Sequence, residues 1–318
     1  MKGYIEKKIK TLLKDYSDAF SLHSCELCIS ENTECNASVI SFSGANLIIV
    51  TRGYIEFLER TFNEDYFSLI PIVGMLNGKE VSDALCDLYE DPDFEISAFM
   101  LNCSIQFTFS HEFQHILQMN YDSILINKKF NESIGKNNFC AHSHALEFDA
   151  DRMATFEVLK FVFSEHKKQE NKSHYALQSM IFMGLASAVI TFSLFFFRVE
   201  RCLQTNSKVD KVPFYTKEYS HPHPLVRAYT IVEYLFECAK GDFPEFSWNP
   251  QVLFNNIFGT MKVYFDALFP GQSIVSEFMS EFKDNLDQII EYNQELYDFA
   301  IKEKSIIELL KKRNIKYE

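Results

Sequence analysis

Ser110-His111-Glu112-Phe113-Gln114-His115-Ile116-Leu117-Gln118 is the stretch on which the reading of this chain turns. On a helix, residues four apart lie one turn above each other, so His111 and His115 can aim both imidazoles at one ion, with Glu112 beside them. This H-E-x-x-H spacing predicts Zn2+ as the cofactor. A catalytic zinc takes three protein ligands and leaves the fourth position to a water whose pKa falls to roughly 7. Glu112 then stands where it can take that water's proton. The plainer reading is a surface helix that happens to carry two histidines, and a third ligand has to be found to set it aside.

Outward from this stretch, Asp91-Pro92 reads as a helix start, an N-cap followed by proline at the first helical position. The run from there to about Met119 is apolar on most sides, through Phe94, Ile96, Phe99, Met100, Leu101, Ile105, Phe107 and Phe109. A helix apolar all round is a buried one, so His111 and His115 sit where a polar group needs a partner or a metal. Residues 120 to 140, with Asn131, Gly135, Asn137 and Asn138, read as a loop. A second helix opens near Ala141 and carries Glu147 and Asp151 one turn apart on one face. Glu147 can supply the third ligand, and Asp151 can accept a hydrogen bond from a ligand imidazole and fix its tautomer. His142 and His144 are rival ligands nearer the loop, and acidic residues early in a helix are also ordinary dipole chemistry.

Elsewhere, Ile5, Ile9, Leu12, Leu13, Tyr16 and Phe20 recur at helical steps and predict an amphipathic helix from Tyr4 to Phe20. Cys25-Glu26-Leu27-Cys28 has metal-binding spacing, but on a strand its two cysteines face opposite sides. Asn36 to Phe42 and Leu47 to Thr51 predict two strands about a turn at Ser43-Gly44-Ala45-Asn46, followed by a helix from about Gly53 to Arg60. An exposed strand there could pair with an extended substrate beside the metal, whereas the plain alternative is a packed hairpin. Pro71, Gly74 and Gly78 mark breaks in a segment, 61 to 90, to which no role attaches. Met180 to Phe197 is 18 residues without a charge, long enough to raise a membrane span. No second such run follows to bring the chain back, and a buried central helix, with Ser187, Thr191 and Ser193 hydrogen-bonded inside the protein, is the expectation. After a polar stretch to Lys211 comes Ser220-His221-Pro222-His223-Pro224-Leu225-Val226-Arg227, ahead of a helix to about Ala239. Helices near 250 to 268 and 273 to 311 complete the chain.

The expected fold is α+β and mainly α, with a small N-terminal sheet drawn from residues 23 to 51. Residues 1–240 would form the domain around the histidines and 241–318 a helical extension packed on it. Of 318 residues, 47% are hydrophobic, ample for a packed core. A net charge of −13, with basic residues clustered only at Lys311-Lys312-Arg313, disfavours a nucleic-acid partner. The N-terminus lacks the apolar core of a signal peptide, and eight cysteines without a repeated spacing read as reduced thiols. Cytoplasmic location is expected, with membrane association through 180–197 as the alternative.

Together the pieces resemble the gluzincin peptidases of the HtpX and prenyl-protein endopeptidase type. The resemblance rests on His111-Glu112-x-x-His115, on Glu147-Phe148-Asp149-Ala150-Asp151-Arg152 and on His221-Pro222 with Arg227 six residues beyond the histidine. Asn36-Ala37 and Ile49-Val50-Thr51-Arg52-Gly53 are similar to that family's edge-strand segment. What this implies is a zincin-like catalytic domain, zinc at His111, His115 and Glu147, Glu112 as base, Asp151 supporting a ligand, and His221 with Arg227 near the substrate oxyanion. The doubled His-Pro keeps His223 as a candidate for the same role. Size and layout are also similar to the phage-exclusion peptidase Lit group, which cleaves a translation elongation factor during phage infection. That implies a protein or peptide substrate, a translation factor among the candidates. The opposing reading is a helical interaction protein with a structural metal site, which a fourth ligand from His142, His144 or Cys140 would favour.

Overall fold

The computed structural model describes residues 3–22, 24–42, 45–62, 72, 76, 78–121, 129–131, 139–170, 172–196, 212–242 and 249–313. The turn residues Ser43 and Gly44, the breaks at Pro71 and Gly74, the loop residues Gly135, Asn137 and Asn138 and the polar stretch 198–211 lie outside them.

Helix α1 (Tyr4–Phe20) buries Ile5, Ile9, Leu12 and Leu13 on one face, as their spacing predicts. Strands β1 (Cys25–Ser30), β2 (Ala37–Phe42) and β3 (Ala45–Thr51) follow, and then α2 (Arg52–Thr61). Thr51 closes the sheet and opens the helix, because its hydroxyl accepts the Tyr54 N–H at 3.0 Å. β3 runs antiparallel to β2 and parallel to β1, and a fourth strand, β4 (Lys129–Asn131), pairs antiparallel with β2. The order β1-β3-β2-β4 therefore places β3 inside the sheet. β4 falls within the expected 120-to-140 loop; three residues carry no strand signal alone, and it forms because Ser38 to Ile40 offer it an edge. The fold is α+β and mainly α.

Asp91-Pro92 ends one helix rather than starting the next. Helix α3 (Lys79–Glu90) stops there, and the Asp91 carboxylate accepts the Asp93 N–H at 2.9 Å in a tight turn. The long helix α4 begins only at Ile96 and runs to Tyr121. It packs on β2, on α5 (Ala141–His166) and on α6 (His174–Phe196). α6 is long and apolar enough to cross a membrane, yet 94% of its apolar window is buried within the protein. Ser187 donates to the Met183 carbonyl at 2.8 Å, and Thr191 bonds both the Ser187 carbonyl and the Ser104 hydroxyl of α4. Ser193 departs from expectation, finding no partner among the described residues, since its turn is ringed by apolar side chains.

Helices α7 (Pro224–Asp242), α8 (Pro250–Leu268), α9 (Ile274–Asp284), α10 (Leu286–Ala300) and α11 (Lys304–Lys312) complete the described chain. α8 packs on α6, α10 on α5 and α7, and α11 on α4. Their apolar faces join one core that extends from Ile5 to Leu310.

Candidate metal centre

Two adjacent helices carry the centre. α4 supplies His111 and His115, α5 supplies Glu147 and Asp151, and the α4–α5 interface is the most extensive between helices. His111 Nε2 and His115 Nε2 lie 3.1 Å apart. Each faces the Glu147 carboxylate, at 3.2 Å from Oε2 and 3.3 Å from Oε1 respectively. All three residues are buried and converge closely enough to hold one metal ion.

The hydrogen bonds behind the imidazoles determine what can sit between them. Gln118 Nε2 donates to the Leu146 carbonyl at 3.0 Å and to Asp149 Oδ2 at 2.8 Å, which turns its Oε1 toward His115 Nδ1 at 2.7 Å. An amide oxygen only accepts, so His115 Nδ1 carries the proton and Nε2 presents a lone pair. His111 Nδ1 lies 3.0 Å from an Asp151 carboxylate oxygen, close enough for that carboxylate to favour a proton on Nδ1, although the angle is poor for a hydrogen bond. Two lone pairs and a carboxylate pointed at one another in a dry interior can be satisfied by a metal ion between them. Two donors about 2.0–2.1 Å from a tetrahedral zinc stand roughly 3.3 Å apart, so the observed separations suit such an ion.

The structure also separates the other candidates. Glu112 follows His111 on α4 and is buried, near enough to Tyr54 that its charge adds to burial and to Cys35 in raising the Tyr54 phenol. Asp151 bridges, because Arg227 clamps its far side with Nε at 2.8 Å from Oδ2 and Nη2 at 2.7 Å from Oδ1. The Arg227 guanidinium is thus directed to Asp151, over the ring of Phe192 at 5.0 Å. His221 Nε2 comes within 3.4 Å of Glu147 Oε1, and its Nδ1 lies 3.0 Å from Ser220 Oγ.

His223 is elsewhere, correcting its candidacy at the site. It is the N-cap of α7: its carbonyl accepts the Val226 N–H at 2.8 Å and its Nδ1 accepts the Leu225 N–H at 3.2 Å, with Pro224 at the first helical position. Its ring is enclosed by Phe214, Tyr215 and Phe278. The rival ligands are likewise committed. His144 bonds the Tyr219 carbonyl at 2.8 Å through Nε2 and the Tyr292 hydroxyl at 2.7 Å through Nδ1. His142 pairs with Glu303 at 3.0 Å, and Cys140 is exposed. Of the two readings of Leu47 to Thr51, the packed hairpin holds and substrate pairing does not, because β1 and β2 already occupy both edges of β3.

Gln118 and Gln114 carry no role in the sequence reading, although Gln118, three residues after His115, shares its helix face. Gln114 Nε2 donates to Asp149 Oδ2 at 2.8 Å. Comparison with protein-family models, curated proteins and solved structures found no match to this chain.

Proposed function

We propose that this chain is a zinc-dependent endopeptidase that hydrolyses a peptide bond in a protein substrate. The observation that carries the reading is the convergence of His111 and His115 from α4 with Glu147 from α5. A bound zinc ion supplies a water acidified to near neutral pKa and a Lewis acid for the scissile carbonyl. Glu112 takes the water's proton and passes it to the departing amine. His221, whose Nε2 lies 3.4 Å from Glu147, is in this reading the hydrogen-bond donor to the oxygen of the attacked carbonyl. Asp151 holds His111 in the ligating tautomer, and Arg227 holds Asp151. His142, His144 and Cys140 are all engaged away from the centre or exposed, which supports a three-ligand, open arrangement over a closed structural one. A reducing compartment such as the cytoplasm belongs to the same reading, since eight cysteines without a repeated spacing read as thiols.

The test is Glu112→Gln, which keeps the shape and removes the base. The variant should retain one zinc per chain by elemental analysis and lose at least about 100-fold in cleavage. Unfolded proteins and a purified translation elongation factor are the substrates to assay, the latter following from the resemblance to the Lit group. Full turnover by metal-loaded Glu112→Gln would reject the mechanism.

A further inference from the structure

Behind His115 lies a line of buried polar groups, of which the reading above draws only on the Gln118 oxygen. It runs from His115 Nδ1 to Gln118 Oε1 at 2.7 Å, and from Gln118 Nε2 to Asp149 Oδ2 at 2.8 Å. Gln114 Nε2 reaches the same Asp149 oxygen at 2.8 Å, and Arg313 Nη1 lies 3.4 Å from Gln114 Oε1. Gln114, Gln118 and Asp149 are all buried, the last two with no exposure at all. A glutamine amide is indifferent to a half-turn about its last bond unless its neighbours decide. Here they do, because both groups facing Gln118 Nε2, the Leu146 carbonyl and the Asp149 carboxylate, accept hydrogen bonds.

From this geometry we infer that Gln118 is the positioning residue for His115, with Asp149 fixing the amide so that its oxygen alone meets the imidazole. The two ligand histidines are thus held by different devices. His111 leans on the charged Asp151, which Arg227 clamps. His115 leans on a neutral amide, itself oriented by a buried carboxylate. Asp149 matches the position next but one after Glu147 on α5, so a single helix supplies a ligand and the group that, through Gln118, aims the other histidine. Asp149 Oδ1 has no hydrogen-bond partner among the described residues, so the two amides on Oδ2 are what this buried carboxyl serves.

The inference rests on the metal-site reading, and its test separates the two. Nitrogen-15 NMR of histidine-labelled protein should find His115 Nδ1 protonated with and without zinc. A bare Nδ1 on His115 in the wild type would overturn the inference with no variant needed. Gln118→Met preserves length and removes the acceptor, and zinc affinity, read by chelator competition, should drop about 10- to 100-fold. Gln106→Met is the comparison, since Gln106 is a buried glutamine of the same helix that bonds Tyr16 and Ser110 instead. It should lose thermal stability and keep its zinc affinity. Unchanged affinity in Gln118→Met, or an equal loss in Gln106→Met, would reduce Gln118 to a structural residue. Failure of the wild type to bind zinc would sink the peptidase reading, while the NMR result would still decide what Gln118 does.

Discussion

Protonating His223 would break the cap it provides, because its Nδ1 must stay bare to accept the Leu225 N–H. Burial pushes its pKa down from 6.5 to about 3, and burial likewise takes His144 to about 4. An unfolded chain binds more protons than the folded one between those values. The stability His223 contributes is therefore complete above pH 6.5 and lost as pH falls toward 3. Asparagine is a good N-cap that does not titrate. The gap in unfolding free energy between wild type and His223→Asn, measured in urea on metal-free protein, should shift by about 2 kcal/mol against the wild type from pH 7 to pH 5. A constant gap would show that His223 is not held neutral. The same residue marks a limit of sequence reading. His111 and His115 are legible because the spacing alone puts them on one helix face, and Glu147 with Asp151 for the same reason. His221-Pro222 and His223-Pro224 look alike as sequence. Only the helix that begins at Pro224 makes one imidazole a cap and leaves the other to face Glu147.

At the junction of β3 and α2, Gly53 is required by close approach rather than by its own torsions. A Cβ there would press into the backbone carbonyl oxygens of Thr33 and Glu34, which the Gly53 N–H bond to Asn32 O helps to hold in place. At Gly184 an added Cβ would meet only side chains, Val162 Cγ2 at 3.0 Å and Cys103 Sγ at 3.4 Å. Backbone cannot yield as a side-chain tip can, so Gly53→Ala should cost about 3 kcal/mol and Gly184→Ala about 1 kcal/mol. Equal falls in melting temperature would remove this account of the junction. Elements of this kind were legible where apolar periodicity was long, as in α1, or where a long run carried no charge, as in α6. They were not where a tertiary partner makes the element: Lys129 to Asn131 become a strand only against β2, and Asp91-Pro92 serves a turn as readily as a helix start. The interior position of β3 depends on β1 pairing with it in parallel, which no local pattern encodes.

The carboxyl-terminal helices are fastened to the centre of the molecule by charge as well as by core. Arg313 Nη2 donates to Glu157 Oε1 of α5 at 2.5 Å, and its guanidinium lies 5.7 Å from the ring centroid of Phe20 on α1. The other Glu157 oxygen accepts from Tyr16 of α1 and from Lys160, each at 2.8 Å. One ion pair therefore joins the amino-terminal helix, the helix that carries Glu147 and the end of α11, with both side chains largely out of water. Removing one partner of such a pair strands a buried charge, whereas removing both strands none. Arg313→Met should cost about 3 kcal/mol in urea unfolding. Glu157→Gln alone leaves Arg313 without its carboxylate and should also destabilise, though less, since the amide oxygen can still accept from Tyr16. The double variant should recover most of the combined loss, an interaction of at least about 1 kcal/mol in the mutant cycle. Strictly additive costs would mean that the pair is screened, and that apolar packing of α11 alone binds the carboxyl-terminal end to the helices that carry His111, His115 and Glu147.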